Sequence, residues 1–205
     1  VTVGGVRGEV TAIEADGARR IAFEGAVDLE KCGELPLPPY FDRRPGPADA
    51  ERYQTVFARS PGSVAAPTAG LHLTPELLGR LAAAGADVVR VELQVGLGTF
   101  RPVTVARVAD HRMHGERYAI EPEVWARISG APRVLAVGTT VVRTLETAAA
   151  TGVLAGTSEL FIRRGHPWRV VDRLLTNFHV PGSSLLVLLD AFVGPAWKAL
   201  YQTGL

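Results

Sequence analysis

Apolar and polar positions alternate imperfectly along residues 1–25, most clearly from Val6 to Ile13, and Asp16-Gly17 marks a hairpin turn before Arg20 to Phe23. This stretch predicts antiparallel β-structure. Leu35-Pro36-Leu37-Pro38-Pro39-Tyr40 follows, and its prolines forbid helix, so it reads as an extended linker or strap. Beyond it the period changes to alternating helices and strands. Helices are expected at Asp49 to Ala58, from Thr74 (N-cap, with Pro75 first in the helix and Leu77, Leu78 and Leu81 on one face) to Gly85, after Pro122, from Thr140 to Ala150, and from Ser184 to Phe192. The helix at 140–150 should turn Val141, Val142, Leu145 and Ala149 inward. Strands are expected at Asp87 to Val95, Val134 to Val137, Glu159 to Ile162 and Arg169 to Val171. The alternation argues for an α/β domain with a mixed sheet.

Composition narrows this picture only a little. Nearly half of the 205 residues are apolar (47%), enough for one sizeable core. The formal net charge of +1 gives no global basic field, so any RNA contact must come from a local patch. A single cysteine, Cys32, excludes an internal disulfide framework and a cysteine-rich zinc site, and suits a reducing compartment. No uninterrupted apolar run reaches bilayer length and the N-terminus lacks a signal-peptide pattern, so a cytoplasmic protein without membrane contact is expected.

Several stretches carry chemistry. Val137-Gly138-Thr139-Thr140 joins a buried strand to a helix, where free N–H groups and hydroxyls can hold a phosphate or carboxylate; a plain N-cap explains the threonines equally well. Arg143 and Glu146, three apart, share a face near that end, and either orient a ligand or form a surface pair. Asp110 to Glu116 brings His111, His114 and Glu116 together in a spacing that fits no helical zinc motif, leaving a proton-transfer or RNA-contacting loop or a solvated turn. Ala66-Pro67-Thr68-Ala69-Gly70-Leu71-His72 and Gly96-Leu97-Gly98-Thr99-Phe100 let backbone approach a ligand closely, or are merely turns. Thr176-Asn177-Phe178-His179 is a polar cluster between apolar segments. Two arginine-rich stretches, Arg101, Arg107, Arg112 and Arg117, and Arg163, Arg164, Arg169 and Arg173 with His166, are candidate phosphate contacts diluted by acidic neighbours.

Taken in order, Tyr53-Gln54-Thr55-Val56, Ala65 to His72, Val95 to Phe100, His111 to Glu116, Ala136 to Arg143 with Leu145-Glu146, and Leu175 to His179 resemble the tRNA ribosyltransferase-isomerases of queuosine synthesis. The resemblance runs from about residue 33 to about residue 200. It implies an α/β domain (residues 29–205) with a smaller inserted β-barrel domain, of which residues 1–28 would be the end. It further implies transfer of the ribosyl group of S-adenosylmethionine to the 7-aminomethyl-7-deazaguanine at the tRNA wobble position, with adenine and methionine released. S-adenosylmethionine is then a substrate, no metal or other cofactor is needed, and a monomer is expected. That chemistry wants a base beside the sulfonium-acidified C5′ and a donor to the departing adenine. His114 or Glu116 is the expected base, with His72 and His179 as alternatives. Pro67, Thr68, Gly70, Gly96, Gly98, Thr99, Thr139, Thr140, Arg143, Glu146 and Asn177 would hold substrate, and Arg101, Arg112, Arg163 and Arg164 would meet tRNA.

Three departures stand out. Gln94 stands where the family usually shows His, the stretch around Ser129-Gly130 is short, and the family's N-terminal part and its C-terminal Gly-Asp-Ala-Met-like segment lie outside these residues. Two other classes fit less well. A tRNA-binding module without turnover would leave the catalytic motifs idle. A nucleotide-binding hydrolase lacks a nucleophile elbow or a Walker-type lysine.

Overall fold

The computed structural model describes residues 1–14, 17–38, 41–59, 62–96 and 103–204. The chain divides into two compact units, Val1–Pro36 and Leu37–Leu205, so the boundary falls eight residues beyond the 28/29 expected above.

The first unit is an antiparallel sheet of β1 (Thr2–Val3), β2 (Val6–Ile13) and β3 (Arg19–Phe23), followed by a single-turn helix, α1 (Leu29–Cys32). The hairpin is where the turn signal placed it. Asp16 lies outside the described residues, but Gly17 takes φ +86 and its N–H meets the Glu14 carbonyl at 2.9 Å. A bulge between Val10 and Ala12 shifts the register within β2–β3.

The second unit is mixed α/β, with two small sheets among the described residues. β4 (Glu92–Gln94), β5 (Glu116–Ala119) and β7 (Ala155–Ser158) form an antiparallel sheet in the order β4-β5-β7. β6 (Leu135–Val137) and β8 (Arg173–Leu175) pair in parallel. The helices are α2 (Asp49–Arg52), α3 (Pro75–Ala83), α4 (Pro122–Ser129), α5 (Thr139–Thr151), α6 (Ser184–Val193) and α7 (Trp197–Gly204). The core gathers around α5: Val142, Leu145 and Ala148 pack with Tyr118, Ile120, Ile128, Ala136, Ile162, Val171 and Leu188.

Local chemistry explains the boundaries. Thr74 caps α3 through its hydroxyl, which accepts the Leu77 N–H at 3.2 Å, a contact worth about 1 kcal/mol. α5 ends where Gly152 adopts the left-handed conformation, φ 72.

Four expectations need correction. The helix expected at 49–58 stops at Arg52, because local side-chain bonds compete with it: Gln54 Oε1 accepts the Thr55 N–H and Thr55 Oγ1 accepts the Phe57 N–H. The strand expected at 87–95 shrinks to Glu92–Gln94, the part that finds a ladder partner among the described residues, on Arg117–Ala119. The strand expected at 159–162 is displaced to Ala155–Ser158, which runs beside the four residues of β5. No strand forms at 169–171, because the N–H groups of Arg169, Val170 and Val171 all go to the Glu146 carboxylate; pairing resumes at Arg173.

The expected lack of a bilayer-length apolar stretch also needs qualifying. Ser184–Gly204 is long and apolar enough to cross a membrane by length and composition alone. It is two helices divided by a turn at Gly194–Ala196, with Leu188 and Leu189 buried in the protein and Asp190 binding Arg164 and Trp197.

Candidate active site

The parallel pair β6–β8 sets the first half of the site. Both strands end at one edge, where Val137 runs into Gly138 and Leu175 into Thr176, and such carboxyl edges are where open α/β sheets bind ligands. Gly138 donates its N–H to the Leu175 carbonyl at 2.9 Å and takes φ 99, a conformation suited to glycine. It is also the N-cap of α5, and among the described residues no side chain caps that end. The first-turn N–H groups of Thr139, Thr140 and Val141 have no acceptor within the helix and point outward with its positive dipole end. Thr139 is buried and Thr140 half-buried beside them.

Segments distant in sequence converge on this edge. A Cβ on Gly138 would lie 3.9 Å from Ala69 Cβ, so the 3₁₀ turn Thr68–His72 packs directly against it. The turn is closed by the Gly70 N–H on the Pro67 carbonyl at 2.7 Å, and Gly70 itself sits against Thr55 and Phe57. His72 Nε2–H meets Asn177 Oδ1 at 2.7 Å, tying the 68–72 turn to the loop after β8. In that loop His179 Nε2 and Thr176 Oγ1 are 3.1 Å apart, and the His179 backbone N–H donates to the Tyr201 hydroxyl at 2.6 Å. Burial pulls the His179 imidazole down to about 4, so it is uncharged at neutral pH. Gly96 follows Val95, whose carbonyl accepts the Val64 N–H at 2.9 Å. Gly98, Thr99 and Arg101 lie outside the described residues.

A second cluster sits beside the N-terminal half of α5. Thr139 and Arg143 are one turn apart on the same face, ~6 Å along the axis. Arg143 and Glu116 are both nearly fully buried, and Arg143 Nη1 lies 2.6 Å from Glu116 Oε2. Arg143 also donates through Nη2 to the His114 carbonyl (3.2 Å) and the Ser158 carbonyl (3.0 Å), and through Nε to the Leu160 carbonyl (3.0 Å). Burial lowers the Arg143 pKa and the Glu116 charge opposes that shift. Among the described residues, buried His114 Nε2 finds no hydrogen-bond partner and lies 3.8 Å from Glu116 Oε1. An unpaired ring nitrogen there is costly unless a further group completes it.

Arg143 and Glu146 make no pair, and neither is a surface residue. Glu146 is fully buried and turns to the other side: Oε1 accepts the N–H groups of Val170 and Val171 at 3.1 and 3.0 Å. Its Oε2 accepts the Arg169 N–H at 3.0 Å and faces His166 Nε2 at 3.2 Å. Both residues thus spend their polar atoms within the protein. Arg164 is similarly engaged, gripping Asp190 with Nε and Nη2 at 2.6 and 2.9 Å, whereas Arg112 and Arg163 are exposed. Among the described residues no group of three or more His, Cys, Asp or Glu is placed to hold a metal ion.

One participant had not been singled out in the sequence, and a second had been placed only among the candidate phosphate contacts. Tyr201 holds the His179 backbone, and its only advance signal was the i,i+4 spacing from Trp197, which its ring meets edge-on at 5.4 Å. His166 reaches Glu146 across 20 residues, a contact that no local pattern announces.

Comparison with known proteins places the chain in a family. The family described as "Queuosine biosynthesis protein" matches residues 1–204. The S-adenosylmethionine:tRNA ribosyltransferase-isomerase of Solibacter usitatus is 53% identical over 194 residues, 93% of this chain and 55% of that protein. The enzyme of the same name from Thermus thermophilus is 52% identical over 202 residues, 94% of this chain and 57% of that protein. The solved structure of the S-adenosylmethionine tRNA ribosyltransferase from Thermotoga maritima superposes with a TM-score of 0.52 at 34% identity, over 66% of this chain and 45% of that one. The chain therefore spans somewhat more than half the length of these curated relatives. With the match running through both units and every segment of the site, the chain belongs to the queuosine biosynthesis protein family.

Proposed function

We propose that the protein carrying this chain transfers and isomerises the ribosyl group of S-adenosylmethionine onto the 7-aminomethyl-7-deazaguanine of tRNA, giving epoxyqueuosine and releasing adenine and methionine. One observation carries the reading: in a chain of this family, the segments around residues 69, 138 and 177 meet at the carboxyl edge of the β6–β8 pair, beside an uncapped helix start. That edge suits the carboxylate of the methionine part, received by the N–H groups and hydroxyls of Thr139 and Thr140. Pro67, Thr68 and Gly70 shape the wall next to it.

The sulfonium acidifies the C5′ protons, so the reaction needs a base positioned near them. His114 is the side chain best suited, because its Nε2 is buried, unpartnered and within reach of Glu116, which can stabilise the imidazolium as it forms. Asn177, whose Oδ1 accepts the His72 Nε2–H, keeps its NH₂ group to donate to the departing adenine. His179, held neutral by burial, serves as a fixed hydrogen-bond partner and not as a proton carrier. No cofactor takes part in this scheme, since S-adenosylmethionine is consumed as a substrate. Arg112 and Arg163 offer exposed guanidinium groups to the tRNA backbone, with Arg164 tethered to Asp190. In this reading residues 1–28 end an inserted β-barrel domain, and the protein is a cytoplasmic monomer.

The test is incubation of the full-length protein with S-adenosylmethionine and tRNA carrying the aminomethyl-deazaguanine, followed by mass analysis of the nucleoside. A mass gain matching the epoxycyclopentane group, with adenine and methionine released together, is expected. Folded protein that binds this tRNA and gives no gain would instead be a binding module.

A further inference from the structure

We infer that Arg143 is a positioning residue: from inside α5 it fixes the Glu116 carboxylate and the His114 backbone, and through them the place of the His114 imidazole. The inference rests on the reading of His114 as proton acceptor given above. Arg143 is 4% exposed, and four of its hydrogen bonds end on His114, Glu116, Ser158 and Leu160. A guanidinium so occupied has little left to offer a ligand.

What it does instead follows from where those acceptors lie. His114 and Glu116 flank Gly115, Ser158 ends β7, and Leu160 follows two residues later. The planar fork of the guanidinium thus binds two chain segments into one plane. With Glu116 Oε2 engaged by Arg143, Oε1 is the oxygen that faces His114 Nε2, at 3.8 Å. Gly115 completes the arrangement: a Cβ there would collide with Thr157 Cγ2, so the 114–116 segment lies tightly against β7 and has no slack of its own. Stability alone gives little reason for such a design, because a well-packed apolar replacement for a buried ion pair is often neutral or better. Geometry does. A lysine ammonium, compact and tetrahedral, cannot satisfy the same four acceptors.

The experiment uses full-length protein carrying Arg143→Lys, Arg143→Gln, Glu116→Gln and the Arg143→Gln/Glu116→Gln double change. Adenine release gives kcat and KM for S-adenosylmethionine, and circular dichroism checks the fold. We expect Arg143→Lys to keep KM within about threefold while kcat falls by roughly 10²-fold, the scale of loss from misplacing a reacting group by about 1 Å. The double variant should be no slower than the worse single one, because both changes act on one unit. A risen KM with kcat intact would make Arg143 a ligand contact and overturn the inference, as would unchanged kcat. Where Arg143→Gln does not fold, the Arg143→Lys and Glu116→Gln variants still decide. A second readout needs no turnover: with ¹⁵N-labelled histidine, the ring signals of His114 should move in Arg143→Lys while those of His72 stay. Unmoved His114 signals would sink the inference. Absence of adenine release in the unaltered protein would count against the proposed function alone, and the histidine signals would still judge Arg143.

Discussion

Replacing Glu146 by Gln removes one charge and almost no volume, which makes it a sensitive probe of the helix on which the site is built. The carboxylate accepts three backbone N–H groups and faces His166, and no part of the residue touches solvent. An amide keeps one oxygen. If that oxygen stays on Val170 and Val171, the new NH₂ group confronts the Arg169 N–H, donor against donor. A hydrogen bond to a charged group is worth about 1.5–3 kcal/mol and an abandoned buried donor costs about 1–3 kcal/mol more. Together these give a destabilisation of about 3–5 kcal/mol, a large share of the ~5–15 kcal/mol that holds a domain folded. At roughly 2–4 °C per kcal/mol for a chain of this size, the melting temperature should drop by roughly 6–20 °C. Denaturant unfolding followed by circular dichroism measures the loss, and hydrogen exchange locates it. The amides of Arg169, Val170 and Val171 should lose protection before the rest of the core. Turnover should fall as well, through the slackened loop. A loss under about 1 kcal/mol with those amides still protected would refute the account of Glu146 as the anchor of residues 166–171.

Two further outcomes follow from the same geometry. Gly138→Ala should cost about 1–3 kcal/mol, because the neighbouring Ala69 leaves room for a Cβ while φ 99 does not suit an L-residue; a change under about 0.5 kcal/mol in urea unfolding would show that the turn relaxes freely. His179, pulled by burial from 6.5 to about 4, binds its proton more readily in the unfolded chain. Its contribution to stability is therefore complete above about pH 6.5 and is lost as pH falls toward 4, by about 3 kcal/mol in all. His179→Asn should flatten that slope relative to the unaltered protein, and identical slopes would contradict the burial argument.

Much of this was legible in the sequence where the signal is local. Thr74-Pro75 gave the start of α3, Ser183-Ser184 stands at the start of α6, and the Gly138 turn marked the strand-to-helix junction at the site. The motif segments carrying His72, Thr139 and Asn177 were recognisable one by one, though nothing in their spacing said that His72 and Asn177 would bond across 105 residues. What failed was long-range. Arg143 and Glu146 read from the sequence as an i,i+3 pair, on the surface or orienting a ligand, and the sequence does not disclose that each has a buried partner elsewhere. The strand expected at 169–171 failed for the same reason, since β-branched valines favour a ladder only when their N–H groups are not already claimed by a carboxylate.

The two opposite charges inside α5 also order events in time. Arg143 finds Glu116 27 residues upstream, whereas Glu146 must wait for Val171, 25 residues downstream. On a chain emerging from its N-terminus, the helix can form early but cannot leave water on its Glu146 side until the 166–171 loop exists. Closing that loop is an entropic cost met before the core around Leu145 and Ala148 gains its full burial. We expect the docking of α5 to come late in folding, so that Glu146→Gln speeds unfolding far more than it slows folding; stopped-flow rates across a denaturant series check this, and a mainly slowed folding rate would refute it.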